Sequence, residues 1–255
     1  MSSLPIVYIN LAKDTERQQR MESQFSRMHF QAERLPAVWW KDLPDELQKQ
    51  YFSHDLNQQQ YFKPMGNGEK GCYCSHLHAW RQLLASDAPA MVVFEDDVQL
   101  LSPLGDALRS IADLPPESWD MVKLYGRAHE KVASRRKLSS CDLELITYRR
   151  VPSFAAGYVI SRSGAQKMLA SRLPFGRPVD VDLRFWFENG MRIFGIHPSV
   201  IALDDTSEVS SIWQQPESPM TWSQRVDKLK MKLQLTWGNA RAKHPDVADT
   251  LPASA

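Results

Sequence analysis

The distribution of apolar residues along the chain predicts alternating strands and helices. Runs that are apolar almost throughout are typical of strands covered on both faces, and they occur at 5–11, 34–38, 91–94, 119–125, 149–161 and 193–200. Other segments have apolar residues at every third or fourth position, as in amphipathic helices, and these are 15–28, 72–84, 104–112, 163–169 and 183–187. We therefore expect an α/β fold with a mixed or parallel sheet and helices on both faces.

Three further segments carry weaker patterns. Residues 45–61 are rich in Gln and are expected to be helical in part. Residues 128–140 are polar and basic, which predicts a solvated loop, with a flexible lid or a contact for an anionic acceptor as the alternative. Residues 221–244 mix Lys and Arg with apolar residues. They predict a basic helix that either packs on the domain or lies on an anionic membrane surface.

Length, charge and cysteine content limit the class of protein. The chain has 255 residues, with 31 Lys and Arg against 30 Asp and Glu, so its formal charge is +1. This balance argues against a nucleic-acid partner. We predict no signal peptide and no membrane span, and hence a soluble protein or one on a membrane surface. Cys72, Cys74 and Cys141 fit neither a disulfide framework nor a zinc motif, which favours reduced thiols in the cytoplasm.

The strand at 91–94 ends in three consecutive carboxylates, Glu95, Asp96 and Asp97. Acidic side chains are rarely buried without a positive partner. Because side chains alternate along a strand, Glu95 and Asp97 should share one side and Asp96 the other. One interpretation is a divalent cation held against a phosphate-bearing substrate. The alternative is three solvated acids at the mouth of a loop, and these residues alone do not decide between the two.

The N-terminal half offers two further contacts for a nucleotide. Arg17 and Arg20 lie near the start of the first helix, where they contact a base or phosphate or remain solvated. Residues 66–71 are predicted to form a glycine-bearing loop, which places Ser75 and His76 in or near the first turn of the next helix. Backbone N–H groups there suit a phosphate or ribose oxygen, and the alternative is a structural turn with a hydrogen-bonded histidine. The lack of a G-x-G-x-x-G motif argues against a dehydrogenase.

Five motifs in a fixed order resemble glycosyltransferase family 25. They are Tyr8-Ile9-Asn10-Leu11, Gly68-Glu69-Lys70-Gly71 with Ser75-His76, Phe94-Glu95-Asp96-Asp97, Gly157-Tyr158-Val159-Ile160-Ser161 and Pro178-Val179-Asp180. The family includes bacterial lipooligosaccharide and lipopolysaccharide galactosyl- and glucosyltransferases, and the collagen galactosyltransferases are relatives. The resemblance implies a Rossmann-like fold of the GT-A type, which we place at 1–215, followed by a basic helical extension at 216–255.

The resemblance also implies a reaction and its groups. It implies inverting transfer of galactose or glucose from a UDP-sugar to a lipid-linked or oligosaccharide acceptor, such as the lipopolysaccharide core, with Mn²⁺ or Mg²⁺. Asp97 is the first choice as metal ligand and Glu95 the second. The residues at donor-binding positions are Asn10, Leu11, Arg17, Ser75, His76, Glu95, Asp96, Gly157 and Tyr158.

An inverting transfer needs a base for the acceptor hydroxyl, and a carboxylate is the usual choice. Asp180 matches the Pro-Val-Asp motif and is the leading candidate, with Asp182 as its rival. For both, the alternative is a helix cap. A histidine often joins the metal in such enzymes, so His197 is a candidate, although a buried structural histidine fits it better. The pair Asp204 and Asp205 competes for that role.

Three readings of the function follow. The first is the UDP-sugar transferase, at the cytoplasmic face of the inner membrane if its basic helix binds lipid. The second is a non-catalytic nucleotide-sugar or carbohydrate-binding protein of the same fold. The third, a metal-dependent phosphohydrolase, would use the acidic cluster but leaves the donor motifs without a role.

Overall fold

The computed structural model describes residues 4–127, 129–138, 142–204 and 219–250. The helices are α1 Thr15–Arg27, α2 Asp45–Tyr51, α3 His54–Gln60, α4 Asn67–Ala85, α5 Leu104–Ala112, α6 Arg162–Ser171, α7 Val179–Asp182 and α8 Trp222–Arg241. Short 3-10 helices lie at Trp40–Asp42, Leu183–Glu188 and Val247–Asp249. The strands are β1 Ile6–Asn10, β2 Glu33–Pro36, β3 Ala90–Glu95, β4 Val98–Leu100, β5 Met121–Lys123, β6 Val132–Lys137, β7 Glu144–Tyr148, β8 Gly157–Ser161, β9 Ile193–His197 and β10 Ile201–Leu203.

The central sheet is mixed. Its order is β2-β1-β3-β8-β5-β9-β7-β6. The β1–β2, β1–β3 and β5–β9 pairs are parallel, whereas β8 runs antiparallel to both β3 and β5, and β7 runs antiparallel to both β9 and β6. Strands β4 and β10 form a separate antiparallel pair beyond the end of β3. The parallel β1 and β3 deliver their carboxyl ends to one edge of the sheet, where open α/β sheets bind ligands.

Two hydrophobic cores cover the two faces of the sheet. Alternate strand residues point to opposite sides. Val7, Val93 and Ile160 therefore join the core beneath α4 and α6, whereas Tyr8, Val92 and Val159 join the core beneath α1 and α5. Helices thus lie on both faces of a mixed sheet, which confirms the expected α/β, Rossmann-like fold.

Within the basic segment at 128–140, residues 132–137 do not form the solvated loop that the composition predicts. Residues Val132–Lys137 form β6, the edge strand of the sheet, paired antiparallel with β7. Its side chains alternate between half-buried and exposed positions, and Arg135 and Lys137 point outward. Charged side chains are a common feature of edge strands because they discourage pairing with other chains. The high charge of the segment therefore concealed an alternating strand.

Two other boundaries differ from expectation. Helix α4 begins at Asn67, within the predicted glycine loop, and the Glu69 carboxylate accepts a hydrogen bond from the Gly66 backbone N–H at 2.7 Å. Ser75 and His76 therefore lie two turns inside the helix, away from its first turn. The strand expected at 149–161 is confined to Gly157–Ser161. Among the described residues, no helix is long and apolar enough to cross a membrane.

Candidate functional site

The carboxyl ends of β1 and β3 meet at the base of a cleft. The register pairs Ile9 with Glu95, so Asn10 and Leu11 lie beside the acidic turn that follows β3. The cleft is lined by Ile9, Leu11, Asp14, Arg17, Ala37, Val38, Trp39, Asn67, Gly68, Cys72, Ser75, Glu95, Asp96 and Asp97. Residues that are far apart in sequence therefore converge where a ligand is expected. Of the predicted donor and metal residues, Leu11, Arg17, Ser75, Glu95, Asp96 and Asp97 line this cleft.

Asp96 is fixed by contacts from β1 and α1. Its carboxylate accepts hydrogen bonds from Asn10 Nδ2 at 2.7 Å and from Arg17 Nη1 at 3.0 Å. Asn10 is itself held by Arg34 Nε at 2.9 Å. Burial raises the pKa of Asp96, although the contacts with Asn10 and Arg17 oppose that shift. Asn10 and Arg17, both predicted to bind the donor, thus act in this structure as supports for the Asp96 carboxylate.

Glu95 is the end of a buried hydrogen-bonded chain. Trp80 Nε1 lies 2.9 Å from the Tyr158 hydroxyl, which lies 2.8 Å from His76 Nδ1, and His76 Nε2 lies 3.2 Å from Glu95 Oε1. An indole N–H can only donate, so the Tyr158 hydroxyl accepts from Trp80 and is free to donate to His76 Nδ1. The remaining proton then lies on His76 Nε2 and is donated to Glu95. The chain fixes the tautomer of His76 and the orientation of Glu95.

Asp97 is half-buried, with a buried Oδ1 atom, and it lacks the contacts from Asn10 and Arg17 that hold Asp96. Its Oδ1 atom has no hydrogen-bond partner in the part of the chain that the structure describes. Burial, followed by the negative charges of Glu95 and Asp96, raises the pKa of Asp97 to about 7. A buried carboxylate oxygen without a partner is costly to folding. Such a group is expected where a cation from outside the chain completes its contacts.

The two candidate bases, Asp180 and Asp182, occupy different environments. Asp182 is 3% exposed and its carboxylate accepts hydrogen bonds from the Tyr73 hydroxyl and from Arg177 Nε, the latter at 2.6 Å. Asp180 is half-buried in the first turn of α7, and the helix has no side-chain cap. Burial raises the pKa of Asp180, with the negative charge of Glu95 acting in the same direction. Asp180 therefore belongs to the electrostatic environment of the cleft, whereas Asp182 belongs to a buried ion-pair network.

Two of the predicted donor contacts have structural partners. The Ser75 hydroxyl donates to the Gly71 carbonyl and accepts from the Val38 backbone N–H, both at 2.8 Å, so it fixes the wall that carries Trp39. A Cβ at Gly157 would lie 2.3 Å from Ile201 Cδ1. The space beside Gly157, which was predicted to bind the donor, is thus occupied by the Ile201 side chain.

The structure also places the candidates for an additional metal ligand. His197 is the last residue of β9, which is separated from β3 by β8 and β5. At about 4.8 Å per strand, His197 therefore lies roughly 14 Å from β3 and from the acidic turn that follows it. Asp204 is adjacent to the acidic turn, because its backbone N–H donates to the Asp97 carbonyl at 2.9 Å, but its carboxylate pairs with Arg20 Nε at 2.9 Å. Asp205 lies outside the described residues.

Two residues that the sequence did not single out belong to this site. Cys72 Sγ lies 3.7 Å from Glu95 Oε1, and Cys72, His76 and Glu95 offer ligand atoms within 4.8 Å of one another. Lys123 is 2% exposed, and its ammonium donates to the carbonyls of residues 152–154. Burial lowers the pKa of Lys123 to about 7, against the opposing charge of Asp180. Neither stands in a recognisable motif, so only the fold could identify them.

A second cavity lies near the start of β9 and the C-terminal segment. It is lined by Pro115, Glu117, Ser118, Trp186, Gly190, Met191, Arg192, Phe194, Lys243, His244, Pro245, Asp246 and Thr250. One of its cationic groups, Arg192, is already bonded to Asp120 at 2.9 Å. The unpartnered carboxylate oxygen lies in the cleft at β1 and β3, and we therefore take that cleft as the candidate site.

The residues of the cleft fit a divalent cation. Asp97 supplies an unpartnered buried oxygen and Glu95 supplies a second carboxylate that electrostatically interacts with it. Carboxylate oxygens are the ligands that Mg²⁺ and Mn²⁺ prefer. A cation would thus offset the cost of burying the Asp97 oxygen. Glu95 is oriented by His76 so that its carboxylate could bind the same cation.

Comparison with known proteins places the chain in a family. The profile of "Glycosyltransferase family 25 (LPS biosynthesis protein)" matches residues 4–183. A "Glycosyltransferase 25 family member" of Drosophila pseudoobscura pseudoobscura is 28% identical over 188 residues, which are 69% of this chain and 28% of the relative. A rat protein, "Probable inactive glycosyltransferase 25 family member 3", is 30% identical over 184 residues, 69% of this chain and 31% of the relative.

A human relative carries a more specific name. "Procollagen galactosyltransferase 2" is 24% identical over 223 residues, which are 75% of this chain and 35% of the relative. The chain spans about a third of the length of these curated relatives. All three are animal proteins, so they do not support the expected lipopolysaccharide specificity. Because the family profile covers well over half of its residues, the chain belongs to glycosyltransferase family 25.

Proposed function

We propose that the chain transfers a hexose from a UDP-sugar to a hydroxyl of a glycan acceptor, with inversion at the anomeric carbon. One observation carries the proposal. The half-buried Asp97 carboxylate has one buried oxygen with no hydrogen-bond partner among the described residues, and the electrostatic environment of its cleft includes Asp180. A transferase needs both functions, a site for the charge of the leaving diphosphate and a base for the acceptor.

Asp97 and Glu95 are the proposed ligands of Mn²⁺ or Mg²⁺. When bound there, the cation would act as a Lewis acid on the diphosphate, which gains negative charge as the glycosidic bond breaks. The His76 hydrogen bond orients the Glu95 carboxylate for this task. Asp96, held by Asn10 and Arg17, is the proposed acceptor for donor hydroxyls, and Trp39 and Val38 form the wall proposed to cover the base.

Asp180 is the proposed general base. It takes the proton of the acceptor hydroxyl while the acceptor oxygen bonds to the anomeric carbon, and the electron pair of the broken bond leaves with UDP. A pKa raised by burial and by Glu95 brings a carboxylate towards the range in which a base is effective near neutral pH. Asp182 is not assigned this role, because Tyr73 and Arg177 already occupy its oxygens.

Galactose is the first donor to test, because one relative is named a galactosyltransferase, and glucose is the second. The description of the family as an LPS biosynthesis protein supports lipooligosaccharide and lipopolysaccharide cores as the first acceptors. The test is a donor screen that measures UDP release with Mn²⁺ across a panel of these acceptors. UDP release above the acceptor-free rate is expected for one hexose, and its absence with every donor and acceptor would overturn the proposal.

A non-catalytic binding protein is the second candidate, because the rat relative is named as a "Probable inactive" member of the family. It shares the donor site with the transferase and differs in turnover. Isothermal titration with UDP, with and without Mn²⁺, would show cation-dependent binding in either case. UDP binding without turnover across the screen would favour the binding protein.

A further inference from the structure

Helix α8 packs on the rest of the protein through one face. Met231, Leu235 and Asn239 are buried along it, and Trp186 Nε1 donates to Asn239 Oδ1 at 3.1 Å. These three residues are spaced four apart, as expected for one side of a helix. Leu235 thus faces inward. The contact fixes the helix on the 3-10 segment Leu183–Glu188.

The opposite face of α8 carries large apolar side chains in contact with solvent. At about 100° per residue, one stripe is formed by Trp222, Val226, Leu229, Leu233 and Trp237, which we call the outward stripe. Trp222 is 80% exposed, Leu229 58%, Leu233 57% and Trp237 63%. Single exposed apolar residues are common on protein surfaces, but a continuous stripe opposite a buried face is typical of an interaction site.

Basic residues flank the outward stripe on both sides. The same helical geometry places Arg225 and Lys232 along one border and Lys230 and Arg241 along the other. The helix contains five Lys or Arg residues and one acid, Asp227, so its formal charge is +4 in a chain whose total is +1. Asp227 pairs with Lys230 at 3.1 Å, and its charge is already included in the total of +4.

We propose that the outward stripe of α8 binds the surface of an anionic lipid bilayer, with the helix lying in the plane of the interface. The apolar side chains enter the boundary between head groups and acyl chains, and the flanking Lys and Arg residues contact lipid phosphates. This inference goes beyond the proposed transfer reaction and does not depend on it. A second copy of the chain is a poorer occupant, because a symmetric contact would bring two helices of charge +4 together.

The test is co-sedimentation of the full chain with vesicles, either of phosphatidylcholine alone or of phosphatidylcholine with phosphatidylglycerol. We expect the wild type to bind the anionic vesicles at least tenfold more strongly. A triple variant, Leu229→Ser, Leu233→Ser and Trp237→Ser, should bind the anionic vesicles at least tenfold more weakly than the wild type. The matched control, Ser223→Ala with Gln234→Ala, changes exposed polar positions on the same helix and should bind as the wild type does. Unchanged thermal unfolding would show that the variants fold.

A charge variant separates the electrostatic contribution to vesicle binding from the apolar one. Lys230→Gln with Lys232→Gln should reduce binding to anionic vesicles by about fivefold for each charge removed. Equal wild-type binding to both kinds of vesicle, or equal binding by wild type and triple variant, would overturn the proposal. So would a wild-type dimer that the triple variant converts to a monomer without any vesicle binding, because the stripe would then be an interface between two copies.

Discussion

Two pairs of aspartates in this protein, one buried and one half-buried, differ in the contacts that their carboxylates make. Asp120 accepts hydrogen bonds from Lys167 at 2.7 Å and Arg192 at 2.9 Å. Asp182 is likewise surrounded by Arg177 and Tyr73. In the cleft, by contrast, one oxygen of Asp97 has no partner among the described residues, and Asp180 shares its environment with Glu95. The same type of side chain is therefore held by ion pairs in one region, whereas in the other it forms none among the described residues.

The pKa values express the same contrast. Burial acts to raise the pKa of Asp120, but the hydrogen bonds from Arg192, Lys167 and Ser163 together lower it to about 2. Burial also raises the pKa of Asp97, and Glu95 and Asp96 add to the shift, which brings it to about 7. Burial alone thus does not distinguish a functional acid from a structural one. The presence of a cationic partner within the chain does, and it can be tested residue by residue.

The largest effect on stability is expected from Asp182→Asn. The substitution leaves Arg177 and Arg172 without their buried carboxylate, and breaking a buried ion pair from one side costs about 3–5 kcal/mol. Asp180→Asn, two residues away, removes no ion pair in the described structure and should change the free energy of unfolding by less than about 1 kcal/mol. Chemical denaturation of the two variants measures both values. Equal losses in the free energy of unfolding would contradict the assignment of a structural role to Asp182 and a functional one to Asp180.

For Asp180→Asn the large effect is expected on turnover instead. Loss of a general base lowers the rate by about 10²–10⁴-fold. Donor affinity should remain within about threefold of the wild type, because the substitution keeps the shape and removes only a proton acceptor. UDP release under saturating donor and acceptor, with donor binding measured separately, checks the prediction. A variant that turns over within a few fold of the wild type would exclude Asp180 as the base.

Lys123 extends the comparison to a buried cation. It is buried against the carbonyls of residues 152–154, and burial lowers its pKa from 10.5 to about 7. Between these two pH values the unfolded chain holds a proton that the folded protein has lost, so this group adds stability as the pH rises. The free energy of unfolding of the wild type, relative to that of Lys123→Met, should therefore increase by up to about 1.4 kcal/mol per pH unit above pH 7.

The measurement for Lys123 is chemical denaturation at several pH values from 7 to 9. Lys131→Met removes an exposed lysine and serves as the control, whose pH profile should run parallel to that of the wild type. Parallel profiles for Lys123→Met as well would show that the buried ammonium keeps its ordinary proton affinity.

The fold was predictable where the pattern of apolar residues was strong. The runs at β1 and β3 and the spacing in α1 and α5 correspond to the observed elements. Strand β6 was missed, because an edge strand is exposed on one face and its alternation was hidden by Arg and Lys. The start of α4 was missed because Gly66, Gly68 and Gly71 resemble a loop, although Gly71 allows the helix to approach the Val38 carbonyl.

The site was predictable as a group of motifs but not as a set of contacts. Sequence order brought the ends of β1 and β3 together with the acidic triplet, and the structure places them in one cleft. The sequence could not show that the Ser75 hydroxyl accepts a hydrogen bond from the Val38 backbone N–H. Nor could it show that Gly157 faces Ile201 or that Lys123 lies near Asp180. Those are long-range contacts, and no local spacing encodes them.

The most direct test of the account is isothermal titration of UDP into the wild type and into Asp97→Ala, each with and without Mn²⁺. Mn²⁺ should strengthen UDP binding to the wild type by at least about tenfold and should have no effect on the variant. Asp113→Ala, which removes an exposed carboxylate on the far end of α5, should behave as the wild type does. If Asp97→Ala kept the full Mn²⁺ dependence of UDP binding, the assignment of the uncompensated carboxylate to a cation site would be wrong.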